Sequence, residues 1–173
     1  MPKLEIVKYP DSRLKEVAKE VTVFDQKLHS LLANMAETMY AARGIGLAAP
    51  QVAAQVRAVV IDIRDEPEEP SQLIELVNPT ILQSEGRTSS EEGCLSIPGY
   101  RDTVPRKKSL KVTAQDRHGN SFEFKAQGLL AICIQHEIDH LDGILFVDRL
   151  SRLKRELFKR WVSRQNDGDE DDD

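Results

Sequence analysis

Sulfur and imidazole are scarce in this chain: two cysteines and four histidines among 173 residues. Two cysteines, Cys94 and Cys133, could pair in a secreted domain, but in a cytosolic chain they are more often free, metal-binding or catalytic. Long apolar runs are missing too. No segment approaches the roughly 18 consecutive apolar residues of a membrane span. The opening residues, Met1 to Ile6, have no basic stretch leading into an apolar run, so they do not read as a secretory signal. A cytoplasmic protein with no membrane partner is the expectation. Apolar residues make up 40% of the chain, which excludes bulk disorder. The length suits one domain with a full core.

The net charge of -5 belongs to the C-terminus. Asp167, Asp169, Glu170, Asp171, Asp172 and Asp173 crowd the last seven positions, and without them the body is close to neutral. Such a run repels itself and has no apolar area to bury. The expectation is a single catalytic domain over residues 1–165 and a disordered acidic tail over 166–173.

From Asp25 to Arg43, Leu28, Leu31, Leu32, Met35, Met39 and Ala42 recur at helical spacing, with Gly44 as the stop. Val56 to Ile63 reads as a buried strand and Asp65 to Ser71 as a loop. Leu73 to Val77 and Thr80 to Gln83 read as two strands around Asn78-Pro79. Ser109 to Gln115 and Ser121 to Lys125 flank a hairpin turn. A second helix spans about Gly128 to Leu141, closed by Asp142-Gly143, and a third about Ser151 to Arg164. Strands and helices are segregated. The fold class is therefore α+β, with mixed or antiparallel sheets around a central helix and a C-terminal helix.

That central helix carries His136-Glu137-Ile138-Asp139-His140. Histidines at i and i+4 lie on one face one turn apart and can bind the same ion, and the intervening Glu137 can act on water held there as a general base. Leu130, Ala131, Ile132, Ile134, Ile138 and Leu141 mark the helix as buried, where ionisable groups are costly unless paired or coordinated. The alternative is a pair of satisfied core histidines, a weaker account of two with a glutamate between them. A catalytic site needs a third protein ligand. Cys133 lies seven residues from His140, about 10 Å of helix rise, and one ion does not easily meet both. Cys94 follows Gly93 away from the helix and is better placed, against the alternative of a packed core thiol. Gly44-Ile45-Gly46-Leu47-Ala48-Ala49-Pro50-Gln51 leaves backbone bare, which suits either close packing or an extended ligand. It is not a P-loop, because no Lys-Ser or Lys-Thr follows.

Three segments, GIGLAAPQ (44–51), EGCLS (92–96) and QHEIDHLDG (135–143), resemble in order and spacing the signature motifs of the peptide deformylase family. The resemblance covers the chain from Leu4 to about Arg164. It implies Cys94, His136 and His140 as metal ligands, Glu137 as the base, and Gln51 with the Leu95 N–H as oxyanion partners. It implies Fe2+ in the cell, with Zn2+, Ni2+ or Co2+ as substitutes. The implied reaction removes formyl from N-formylmethionine on nascent chains and releases formate. The substrate would pair as an extended strand near Ile45, Gly46 and Gly93, and its methionine would enter a pocket of Ile45, Leu129, Ile132, Cys133 and the His136 stem. Two positions depart from the family pattern. Ser90 stands where an apolar residue is usual, and Arg43 where an acid is common. From Arg149 to Arg164 the chain has seven Lys or Arg against Glu156 alone. The plain reading is a solvated helix face; the resemblance implies contact with ribosomal RNA near the exit tunnel, and no DNA partner. An HExxH endopeptidase would need a third ligand downstream, where no further histidine occurs. A structural zinc module would need a fourth ligand, and only three are convincing.

Overall fold

The computed structural model describes residues 3–64 and 68–170, the last three as backbone only. A helix, α1 (Gln26–Ala41), is followed by strands β1 (Gly46–Ala48), β2 (Ala58–Ile61) and β3 (Ile74–Glu85). A hairpin of β4 (Thr88–Cys94) and β5 (Ile97–Arg106) comes next, then a second hairpin of β6 (Ser109–Gln115) and β7 (Ser121–Gln127). The helices α2 (Gly128–Leu141) and α3 (Arg152–Glu170) complete the order. One sheet has the order β1-β2-β3-β6-β7; β4 and β5 form a separate two-stranded sheet. Every pairing between named strands is antiparallel, in accord with the α+β expectation.

The apolar run in β2 is explained by what covers each face. Ala58 and Val60 pack with Leu32, Met35 and Met39 of α1. Val59 and Ile61 pack with Ala131, Ile134 and Leu141 of α2. A strand buried on both faces loses the polar alternation of a half-exposed one. The second sheet closes a third cluster, in which Ile97 and Val104 meet Leu145, Phe146, Leu150 and Phe158. α2 thus lies between the large sheet and the hairpin, and its polar groups face the seam.

Local chemistry sets the helix ends. The Asp25 carboxylate accepts from the Leu28 N–H and caps α1. At the other end the left-handed residue is Arg43, at φ 58, rather than Gly44. The Arg43 and Gly44 N–H groups donate to the Tyr40 and Met39 carbonyls, so the last turn closes one residue earlier than glycine suggested. Gly44 is needed for proximity instead, since a Cβ there would lie 2.7 Å from Leu95 Cδ1. Gly143, at φ 75, ends α2, where a Cβ would run into the Lys15 carbonyl.

Three elements differ from the sequence reading. The two strands expected around Asn78-Pro79 are one strand with a bulge. Asn78 sits at φ 50, and its amide pairs with both backbone polar groups of Val21, replacing the ladder bonds that the bulge forfeits. The β4–β5 hairpin had no clear alternation and was not expected as strands. α3 continues past Arg164 to Glu170, so residues 166–170 of the expected disordered tail are helical, and 171–173 lie outside the described residues. Gln165 to Asp167 are exposed, so this part of the helix rests on helix propagation and not on packing. The loop expected at Asp65 to Ser71 lies in part outside the described residues as well.

The end of β2 is fastened by Asp62. Its buried carboxylate accepts from Tyr40 Oη at 2.5 Å, Ser71 Oγ at 3.0 Å and the Gln72 N–H at 3.1 Å, while its own N–H donates to the Ile45 carbonyl at 2.9 Å. Burial pushes this acid up, but the three donors and Arg64 outweigh it and hold it below the usual carboxylate range. A lowered pKa means the stabilisation is complete above the unfolded-state value of about 3.9 and is lost as pH falls through the folded one. Asp62→Ala should cost about 2–3 kcal/mol by stranding these donors. In urea titrations the gap from wild type should stay constant above about pH 5 and narrow below about pH 4.

Candidate metal centre

α2 presents His136 and His140 on one face, their ring centroids 5.0 Å apart. Cys94 reaches them from across the seam. The β4–β5 register shifts between Glu92 and Cys94, and this irregularity at Gly93 turns the cysteine toward the helix. Cys94 Sγ lies 3.3 Å from His140 Nε2, and ligand atoms of Cys94, His136 and His140 all fall within 4.8 Å of one another. Among the described residues no other group of three or more His, Cys, Asp or Glu is gathered this way. Cys133 stays outside the cluster. It is buried, with Sγ facing the Ile45 carbonyl at 4.0 Å, and burial pushes its thiol well above the ordinary range.

Each imidazole is held in a definite way. His136 Nδ1 lies 2.9 Å from Glu92 Oε1, which leaves Nε2 for the cluster. Glu92 in turn receives both arms of Arg106 at 2.8 Å, and Arg106 Nη1 donates to Asp139 at 2.8 Å. Arg149 closes the chain with two bonds to Asp139, at 2.6 and 2.7 Å. Glu92 is kept below the usual range although burial opposes it, because Arg106 and His136 donate to it. Burial alone would lower His136, but hydrogen bonds to Cys94 and Glu92 lift it to about 10. His140 is pushed well below its ordinary value by burial and by His136. A thiolate and two imidazoles gathered at one spot suit a zinc-like or ferrous ion.

Two buried polar atoms are unpartnered beside this cluster: Glu137 Oε2 and His140 Nδ1. Glu137 Oε1 is 3.8 Å from His136 Nε2, and burial raises the carboxyl to about 7 against the pull of His136. A buried acid poised near neutrality with a free oxygen is the arrangement a general base requires. Gln51 is fixed at Oε1 by the Ala48 N–H at 3.0 Å, and its Nε2 lies 3.5 Å from Cys94 Sγ and 3.2 Å from Ser96 Oγ. Its amide nitrogen is thereby held at the edge of the cluster, between Ser96 and Cys94.

A groove of about 830 Å³ opens over these residues. It brings together Ile45, Gly46, Gln51, Gly93, Cys94, Leu95, Leu129, Ile132, Cys133, His136 and Glu137, which is every residue expected at the site except His140, buried behind. Ser90 and Arg43 line it too. Ile45 and Leu129 are 41% and 48% exposed, apolar side chains left open beside polar chemistry. The glycine motif serves packing and groove at once, for a Cβ on Gly46 would lie 2.8 Å from Cys133 Sγ and 3.2 Å from Glu137. Arg106 and Arg149 were not foreseen. Glu92 and Asp139 sit inside the quoted motifs, but nothing in spacing announces their arginine partners.

A family model described as polypeptide deformylase matches residues 3–156. A peptide deformylase of Chromobacterium violaceum is 54% identical over 165 residues, covering 95% of this chain and 97% of that one. The crystal structure of a peptide deformylase from Legionella pneumophila superposes with a TM-score of 0.87 at 48% identity, covering 95% of this chain and 96% of that one. A Met-Ala-Ser-bound class I type b peptide deformylase from Acinetobacter baumannii gives a TM-score of 0.82 at 36% identity, covering 86% and 99%. With the family match over most of its length and the fold in agreement, the chain belongs to the polypeptide deformylase family, the metal-dependent hydrolases that remove the N-formyl group from nascent peptides.

Proposed function

We propose that Cys94, His136 and His140 hold one divalent cation, Fe2+ in the cell with Zn2+, Ni2+ or Co2+ as substitutes, and that Glu137 is the base of the deformylation. The observation that carries this is the convergence of three ligand atoms beside the free Glu137 oxygen at the floor of one groove. A cation bound there supplies a Lewis acid that polarises the formyl carbonyl and lowers the pKa of water. Glu137 takes the proton of the attacking water on Oε2 and passes it to the departing amine. Gln51 Nε2 and the Leu95 N–H donate to the oxygen that gains charge. Ile45, Gly46 and Gly93 offer backbone to an extended peptide, and Leu129, Ile132 and Cys133 take its methionine. The A. baumannii relative is described as bound to Met-Ala-Ser, the sequence of a deformylated N-terminus, which supports this use of the groove.

The same reading puts the reaction where formylated nascent chains emerge, in the cytoplasm. Among the described residues no helix is long and apolar enough to cross a membrane. Ribosome contact through the basic end of the chain belongs to the same reading. Arg149 and Lys154 are engaged by Asp139 and Asp102, and Lys159 pairs with Glu156. Arg152, Arg155, Arg160 and Arg164 are exposed and have no ion pair among the described residues, which leaves them for phosphates. The acidic residues after them would compete for the same charge.

Three outcomes follow. Glu137→Gln should keep its cation, measured by elemental analysis, while formate release from formyl-Met-Ala-Ser falls by roughly a hundredfold or more. Activity within tenfold of wild type would exclude Glu137 as the base. Cys94→Ala should lose cation and activity together, whereas Cys133→Ala keeps both and loses about 1 kcal/mol of stability. The reverse pattern would refute the ligand assignment. Deleting residues 166–173 should leave small-peptide turnover unchanged and steepen the salt dependence of ribosome co-sedimentation; equal salt slopes would refute the competition.

A further inference from the structure

The groove has a charged rim that deformylation itself does not use. Three cations line it: Lys8, Arg43 and Arg101. Three acids line it as well, but two are committed. Glu92 is buried and held by Arg106 and His136, and Glu137 is buried at the floor. Only Glu91 is an exposed acid, and it pairs with Arg101 at 3.1 Å with both side chains more than 60% exposed. A pair so open to water is weak and exchangeable. Lys8 Nζ donates to the Leu95 carbonyl at 3.0 Å. Arg43 is exposed and makes no side-chain hydrogen bond or ion pair among the described residues.

Both arginines line the same groove. Arg43 lies two residues before Ile45, so a strand paired antiparallel with Ile45 and Gly46 would reach its level two residues further on. On the facing side the Arg101 guanidinium lies over Gly93, where a Cβ would be 2.9 Å from Nη1. With the formyl-methionine at the cluster, an extended peptide would bring its second and third residues toward these two lining cations. We propose that Arg43 and Arg101 select nascent peptides carrying Asp or Glu at those positions. This rests on the groove being the peptide site.

The test compares formyl-Met-Ala-Glu and formyl-Met-Ala-Lys amides, with formyl-Met-Ala-Ser amide as the neutral reference. Wild type at low salt should favour the acidic peptide roughly three- to tenfold in kcat/KM, through KM, the range that exposed ion pairs provide. The preference should shrink toward unity in about 0.5 M KCl. Arg43→Glu should abolish or invert it, Arg101→Gln should reduce it, and Arg43→Lys should retain it. An additional variant, Ile132→Trp, checks the groove reading with the neutral peptide, where KM should rise. If KM there is unchanged, the groove is not the peptide site and the inference falls with that reading. If KM rises but wild type treats acidic and basic peptides alike, or Arg43→Glu and Arg101→Gln leave the preference intact, the inference falls alone.

Discussion

Everything at this site hangs on a buried guanidinium. Arg106 ends β5 and bridges Glu92 of β4 to Asp139 of α2 with three bonds of 2.8 Å. The hairpin carrying Cys94 and the helix carrying both histidines are tied by that side chain and by the contact of Glu92 with His136. Taking an arginine out of water costs several kcal/mol unless its donors are well met, and here two carboxylates meet them. A buried ion pair is weak evidence for stability; what these three bonds define is the relative placement of hairpin and helix. Glu92 sets the His136 tautomer, and Asp139, one residue before His140, is held from outside by Arg149. This network orients the ligands.

The rest of the fold serves that seam. β2 is apolar on both faces because α1 and α2 cover it, and this places α2 in the middle of the molecule with its polar groups turned to the hairpin. Burial then tunes the chemistry. The surroundings that raise Glu137 to about 7 push Cys133 higher and leave it an inert wall of the groove. Two cysteines near one site thus have opposite fates, decided by position on the helix and access to the cluster.

Much of this was legible in the residues. The apolar period of α1, the whole span of α2 and the β6–β7 hairpin follow from patterning that packing does not override. His136, Glu137 and His140 are readable because helical geometry makes i and i+4 neighbours, and Cys133 is excluded by the same rise per residue. Cys94 needed more than spacing, since only folding of a separate hairpin brings it across. That hairpin was invisible because Thr88 to Cys94 lacks alternation and owes its shape to a bulge. Asn78 misled in a similar way, its side chain replacing backbone partners inside a strand. Arg43 taking the left-handed turn before a glycine shows that close approach, here to Leu95, can claim the glycine first.

The central claim is that one thiolate and two imidazoles, pre-set by the Arg106 bridge, bind a single cation with one position left open. Substituting cobalt and recording its electronic spectrum tests this most directly. The account predicts thiolate-to-cobalt charge transfer together with the intense ligand-field bands of a four-coordinate ion, both lost in Cys94→Ala and kept in Cys133→Ala. Weak six-coordinate bands without charge transfer, or a charge-transfer band that survives Cys94→Ala, would contradict it.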